Sequence, residues 1–94
     1  MVIPDSVQNI GDYAFESDTA LQNVKISKSL KTAGNSIFDD CASLTKVEIS
    51  NGAVVIGESM FSNCKNLASV TVPDTVKTIG KYAFDGCEKI SSEL

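Results

Sequence analysis

The four phenylalanines of the chain, Phe15, Phe38, Phe61 and Phe84, follow one another at a constant step of 23 residues. Gly11, Gly34, Gly57 and Gly80 keep the same step, as do Leu21, Leu44, Leu67 and Ile90, and the cysteines Cys41, Cys64 and Cys87. Cutting the chain at Met1, Val24, Val47 and Val70 gives the units 1–23, 24–46, 47–69 and 70–92, with no insertion or deletion. Every phenylalanine and every cysteine then falls at a single position of the unit. Self-similarity at such a period marks a repeat architecture. One such unit cannot close a core of its own. Stacked on its neighbours at roughly 4.8 Å per strand, it builds a continuous ladder of like side chains.

The unit reads physically. Leu21, Val24 and Ile26 are followed by Leu44, Val47 and Ile49, then by Leu67, Val70 and Val72. β-Branched residues at period two, with polar residues between them, predict a strand with one buried face. Pro4-Asp5-Ser6 and Pro73-Asp74-Thr75 predict a turn in which proline presets the backbone angle, and Asn51-Gly52 fills the same place by tolerating a left-handed conformation. A short apolar pair follows, Val7 with Ile10, Leu30 with Ala33, Ala53 with Ile56 and Val76 with Ile79, and ends at the repeated glycine. That glycine implies either positive φ or close backbone approach at a corner. Asp12-Tyr13-Ala14-Phe15 and Lys81-Tyr82-Ala83-Phe84 read as about one turn of helix that carries Phe inward. The expected fold is a β-rich α/β solenoid, with a parallel sheet on one side and short helical turns on the other.

The run Val70-Thr71-Val72-Pro73-Asp74-Thr75-Val76-Lys77-Thr78-Ile79-Gly80-Lys81-Tyr82-Ala83-Phe84-Asp85-Gly86-Cys87 resembles the BspA-type leucine-rich repeat, also called the Treponema pallidum type. The unit of that family is similar to Leu-x-x-Val-x-Ile-Pro-x-x-Val-x-x-Ile-Gly-x-x-Ala-Phe-x-x-Cys. The first unit shares with the fourth Pro4, Asp5, Val7, Ile10, Gly11, Tyr13, Ala14 and Phe15. The resemblance extends over essentially the whole chain. It implies a right-handed, curved leucine-rich-repeat coil with its parallel sheet on the concave side. It also implies a non-catalytic adhesion or protein-binding role in a surface or secreted protein of bacteria or mucosal protists. Ser27 and Ser50 depart from the pattern at the proline, Asp18 at the first cysteine, and Ile37 and Met60 at the alanine before Phe. The middle units are therefore less regular than the outer ones.

Composition closes off several functions. Eight lysines stand against twelve acidic residues, for a net charge of −4, and the chain has neither arginine nor histidine. An acidic chain without arginine lacks the electrostatic footprint of a nucleic-acid binder and the polybasic segment that anionic lipid attracts. Without histidine, the usual general base and the commonest nitrogen ligand of transition metals are missing, and no conventional serine triad can form. Serine and lysine are both present, but no motif joins them. No apolar run approaches the ~20 residues of a spanning helix. Met1-Val2-Ile3-Pro4-Asp5 shows no signal peptide.

The cysteines fall one per coil in a stacked row. This predicts small buried hydrophobes with free thiols, since no closely spaced pair offers a zinc site and parallel stacking aligns the Cβ vectors instead of converging them. Asp39-Asp40 with Glu16, Asp85 and Glu88 lacks the loop arrangement that wraps calcium and reads as a solvated face. Tyr13 and Tyr82 read as packing over the turn, with anchoring of a partner as the lesser alternative. No catalytic, cofactor-binding or metal-binding residue is expected, and the chain is not expected to be an enzyme.

What remains is the outer face of the sheet. If Val24 and Ile26 point inward, Asn23 and Lys25 point outward. The outward rows are then Asn23, Lys46 and Ser69 beside Val2, Lys25, Glu48 and Thr71. Lys25 and Glu48 are expected to be lateral neighbours. Asn23, Lys25, Lys46, Glu48, Ser69 and Thr71 form the candidate concave face for a protein partner, a host or matrix protein included. The alternative is a structural spacer with no ligand of its own. Neither end reads as a polar cap, and the charged tail from Glu88 to Glu93 softens one end only in part. Exposed strand edges invite pairing, so end-to-end self-association is expected, or else the chain is an excised piece of a longer array.

Overall fold

Alternation decides the strands. The computed structural model describes residues 1–90, and in it the four units lie as four stacked coils. The strands, in chain order, are β1 (Asn9–Ile10), β2 (Asn23–Ile26), β3 (Thr32–Ala33), β4 (Lys46–Ile49), β5 (Val55–Ile56), β6 (Ser69–Thr71) and β7 (Thr78–Ile79). Strands β2, β4 and β6 form a parallel sheet in which each residue faces the one 23 positions on, Val24 against Val47 against Val70. A bridge from Val2 to Lys25 brings the first coil into the same row. Val24, Ile26, Val47 and Ile49 are buried, whereas Asn23, Lys25, Lys46 and Glu48 are exposed.

The phenylalanines fill the space behind the sheet as one column. Phe15 stacks on Phe38 and Phe38 on Phe61 at 5.3 Å between ring centroids, and Phe61 stacks on Phe84 at 5.6 Å, the rings within 10° of parallel. Phe38 and Phe61, covered on both sides, are fully buried; Phe15 and Phe84 have one ring neighbour each and are partly exposed. Leu21, Leu44 and Leu67 line the same interior.

The two residues before each corner glycine, the second of them the later member of the apolar pair, form a short strand that the sequence did not reveal. β1 pairs with β3 and β5 with β7, both in parallel and in the same register. The Ile10 carbonyl accepts from Gly34 N–H at 2.8 Å, and the Ile56 carbonyl accepts from Gly80 N–H at 2.8 Å. Between the middle coils this bond is replaced. Gly57 N–H donates instead to Met60 Sδ at 3.4 Å. Met60 is one of the departures from the repeat pattern, so an irregularity of sequence coincides with an interruption of the ladder.

The expected helical turns are absent, and the φ angles and hydrogen bonds explain why. Tyr13 and Ser17 have φ of 57° and 59°, and positive φ recurs at Ser36, Asp40, Ser59, Asn63, Tyr82 and Gly86, the same two positions of each unit. A left-handed residue every fourth position interrupts a right-handed helix. In a helix each N–H would bond four residues back along its own segment. Here Tyr13, Phe15 and Ser17 donate to Asn35, Ile37 and Asp39 of the next coil at 2.8–2.9 Å. The segment is a chain of tight turns whose alternate N–H groups hold the neighbouring coil. The fold is thus a coil of parallel strands and turns, and the α component of the expectation is corrected.

Three of the four corner glycines, Gly34, Gly57 and Gly80, serve the second of the two reasons considered. None of the four has positive φ, whereas Gly52 in the Asn51-Gly52 turn has φ of 115°. A Cβ on Gly57 would sit 2.7 Å from the Gly34 carbonyl oxygen, and one on Gly34 would lie 2.7 Å from the carbonyl carbon of Gly11. Close stacking of coil on coil is what excludes a side chain. The two serines in place of proline also bond between coils. Ser27 Oγ donates to the Val7 carbonyl at 2.7 Å, and Ser50 N–H, which a proline would lack, donates to the Ile26 carbonyl at 3.3 Å.

Candidate functional site

The outer face of the sheet is built by the alternation just described. Asn23 lies beside Lys46 and Lys46 beside Ser69; Lys25 lies beside Glu48 and Glu48 beside Thr71, with Val2 opposite Lys25. Lys25 Nζ is 3.9 Å from Glu48 Oε2, with both side chains about half exposed (52% and 49%). An exposed pair of this kind contributes at most about 1 kcal/mol, so it orients two side chains more than it holds the fold. A shallow open depression of about 260 Å³ gathers Asn23, Lys25, Lys46 and Glu48 together with Met1, Val2 and Val24. Ser69 and Thr71 continue the rows on β6 but do not line that depression.

Met1 was missed from the sequence. Its nitrogen donates to the Asn23 carbonyl at 2.9 Å, and its own carbonyl accepts from Lys25 N–H at 2.9 Å. The signal was available, because Met1 occupies the unit position of Val24, Val47 and Val70. Chemically the face offers two ammonium groups, one carboxylate and small hydroxyl and amide groups on a backbone fixed by its ladder. It suits polar recognition.

The cysteine column lies within the core, and it has a hydrogen-bonding role. The three thiols are free and buried. Cys41 Sγ donates to the Phe15 carbonyl at 3.3 Å, Cys64 to Phe38 at 3.2 Å and Cys87 to Phe61 at 3.1 Å. Each thiol thus gives a turn carbonyl of the preceding coil a second donor, beside the backbone N–H three residues on. Asp18, at the same position of the first coil, accepts from Ala20 N–H at 3.1 Å instead.

Burial pushes the Cys64 thiol from its ordinary 9.0 up to about 12, and burial likewise raises Cys41 and Cys87. The native state therefore holds the thiol proton more tightly than the unfolded chain does. The stability this supplies is whole below pH 9 and falls as pH rises towards about 12. Because the thiolate is the reactive form, Cys64 is expected to react with iodoacetamide at about pH 8 no faster than the chain unfolds. Labelling followed by mass spectrometry checks this, and rapid modification in native buffer would contradict it.

The other candidates are surface features. Asp39 Oδ1 accepts from Asn63 Nδ2 at 3.2 Å, while Glu16, Asp40, Asp85 and Glu88 are exposed, and no group of three metal-ligating side chains occurs among the described residues. Tyr13 and Tyr82 are exposed rather than packed. No helix among the described residues is long and apolar enough to cross a membrane.

Residues 1–93 match the family described as BspA type leucine rich repeat region (6 copies). Among solved structures the chain is similar to a leucine-rich repeat protein from Bacteroides ovatus, at 34% identity and a TM-score of 0.85, over 96% of this chain and 23% of that one. It is similar at 32% identity and a TM-score of 0.85 to the T. pallidum leucine rich repeat protein, over 98% of this chain and 43% of that one. It thus spans less than half the length of either. No curated protein matches the chain.

Proposed function

The chain belongs to the BspA-type leucine-rich repeat family, and from that membership we propose that it is a non-catalytic protein-binding and adhesion module of a surface or secreted protein. Its four units form one domain and part of a longer array, in keeping with the greater length of both solved relatives. The coil is right-handed and curves around its sheet, so that Asn23, Lys25, Lys46, Glu48, Ser69 and Thr71 line the concave side. The observation that carries this reading is the exposed, in-register polar face of β2, β4 and β6, whose opposite face packs against the core. A host or matrix protein meets this face through many weak polar contacts, and repetition of the unit multiplies them.

The test is biolayer interferometry against a panel of immobilised extracellular-matrix proteins. It compares the intact chain with a Lys25→Glu, Lys46→Glu, Glu48→Lys variant of unchanged circular dichroism. The expected result is binding by the intact chain and a loss of about tenfold or more in the variant. A second reading, a structural spacer, draws on the absence of any aromatic side chain from the outward rows of the sheet. It prevails if neither form binds, whereas equal binding by both would place the ligand on another face.

A further inference from the structure

Asn51-Gly52 is the one asparagine–glycine pair of the chain, and both residues are exposed at the turn that follows β4. We propose that this pair is a site of spontaneous deamidation at the Asn51 side chain, and that the Thr75 hydroxyl of the next coil holds the reaction back.

The reaction needs no partner but water. The Gly52 nitrogen gives up its proton to solvent and attacks Asn51 Cγ. A bond from that nitrogen to Cγ forms, the bond from Cγ to Nδ2 breaks, and ammonia leaves with a proton taken from solvent. Water then opens the cyclic imide at either of its carbonyls, leaving aspartate or isoaspartate at position 51. Glycine favours the closure because it sets no side chain beside the attacking nitrogen.

The fold keeps the vulnerable glycine for reasons of its own. Gly52 has φ of 115°, which residues with a Cβ rarely adopt, and a Cβ there would lie 2.7 Å from the Lys28 carbonyl oxygen. Ala53 N–H closes the turn on the Ser50 carbonyl at 3.1 Å, with Gly52 at the third place, where positive φ calls for glycine. A bulky residue after Asn51, the simplest protection against ring closure, is therefore closed to this coil.

Thr75 supplies a different protection. Its Oγ1 accepts from Gly52 N–H and donates to the Ala53 carbonyl, each at 2.9 Å. A hydroxyl engaged as donor and acceptor at once is fixed in place. The N–H it holds is the one whose proton must leave and whose nitrogen must turn towards Asn51 Cγ. Ring closure thus proceeds only from molecules in which this bond has opened. The other units carry Ser6, Ser29 and Thr75 at the position of Gly52, so the threonine follows the one coil that has glycine there. When the reaction does occur, it puts a carboxylate in the turn between Lys28 and Asp74, the residues 23 positions to either side. Isoaspartate also lengthens the backbone that the Ala53 bond closes.

Incubation of the whole chain at mildly alkaline pH, followed by peptide mapping with mass spectrometry, tests the proposal. Conversion at Asn51 is expected to be about tenfold slower or more in the folded chain than in guanidinium chloride. That comparison needs no variant to fold. Thr75→Val, shown to be folded by circular dichroism, is expected to speed conversion by about two- to tenfold, the loss of one hydrogen bond. Thr75→Ser keeps the hydroxyl and is expected to match the parent. Val76→Ala loosens the same turn from the core side, leaves the hydroxyl in place, and is expected to stay near the parent rate. The proposal is overturned if Asn51 converts in neither state, if folded and unfolded chains convert alike, or if Thr75→Val is no faster than the parent. It is overturned equally if Thr75→Ser or Val76→Ala is as fast as Thr75→Val.

Discussion

Phe61→Ala is expected to lower the free energy of unfolding by about 3–5 kcal/mol. The ring is fully buried and lies face to face with Phe38 at 5.3 Å and Phe84 at 5.6 Å, so its removal strips contacts from both. The gap cannot readily collapse. Phe38 N–H is held on the Met60 carbonyl and Phe61 N–H on the Ala83 carbonyl, each at 2.8 Å, and these bonds fix the spacing of the coils around the vacancy. Transfer and cavity costs then add. In a stack whose stability is a sum of unit and neighbour contributions, Phe61 also serves two interfaces at once. Phe84 serves one and is partly exposed, so Phe84→Ala should cost less than half as much. Urea unfolding of the two variants measures both. A loss below about 1 kcal/mol for Phe61→Ala would show that the column is not the core.

How far the sequence carried the fold can be read from particular residues. The ring column and the sheet register were legible, because a 23-residue step places Phe on Phe and Val24 on Val47 without any further assumption. The outward rows followed from alternation alone, which is why Lys25 and Glu48 were expected as neighbours and lie 3.9 Å apart. The turns were not legible. Asp12-Tyr13-Ala14-Phe15 contains nothing that forbids a helix, and the two left-handed residues of the unit, Tyr13 and Ser17, are those whose N–H groups bond to another coil. Among those positions Gly86, and more weakly Asn63 and Asp40, announce such a conformation; Tyr13, Ser36 and Tyr82 do not. The two-residue strands were hidden for a similar reason, since Asn9–Ile10 is too short for any periodicity to register. Of the tail that was to soften one end, Glu93 lies outside the described residues. What the sheet face binds was legible in neither, since a row of small polar and mixed-charge groups defines a chemistry and not a partner.

The corner glycine, which the sequence left between two explanations, yields the second large effect. Gly34→Ala is expected to cost about 3 kcal/mol, while Gly11→Ala, the same change one coil earlier, is expected to raise the stability of the monomer by about 0.4–1 kcal/mol. An added Cβ on Gly34 would lie 2.5 Å from the Asp12 nitrogen and 2.7 Å from the Gly11 carbonyl carbon. Both are backbone atoms, tied down by the bond from Gly34 N–H to the Ile10 carbonyl at 2.8 Å, so relief requires the two coils to part. At Gly11 the space is open, and only the lower entropy of the unfolded alanine chain remains. If glycine were required for its backbone angle, both substitutions would be costly, since the two glycines hold the same position of the unit. Thermal unfolding at concentrations low enough to keep the chain monomeric separates the two explanations. Equal losses at both positions would mean that backbone conformation, and not the proximity of the preceding coil, dictates the residue.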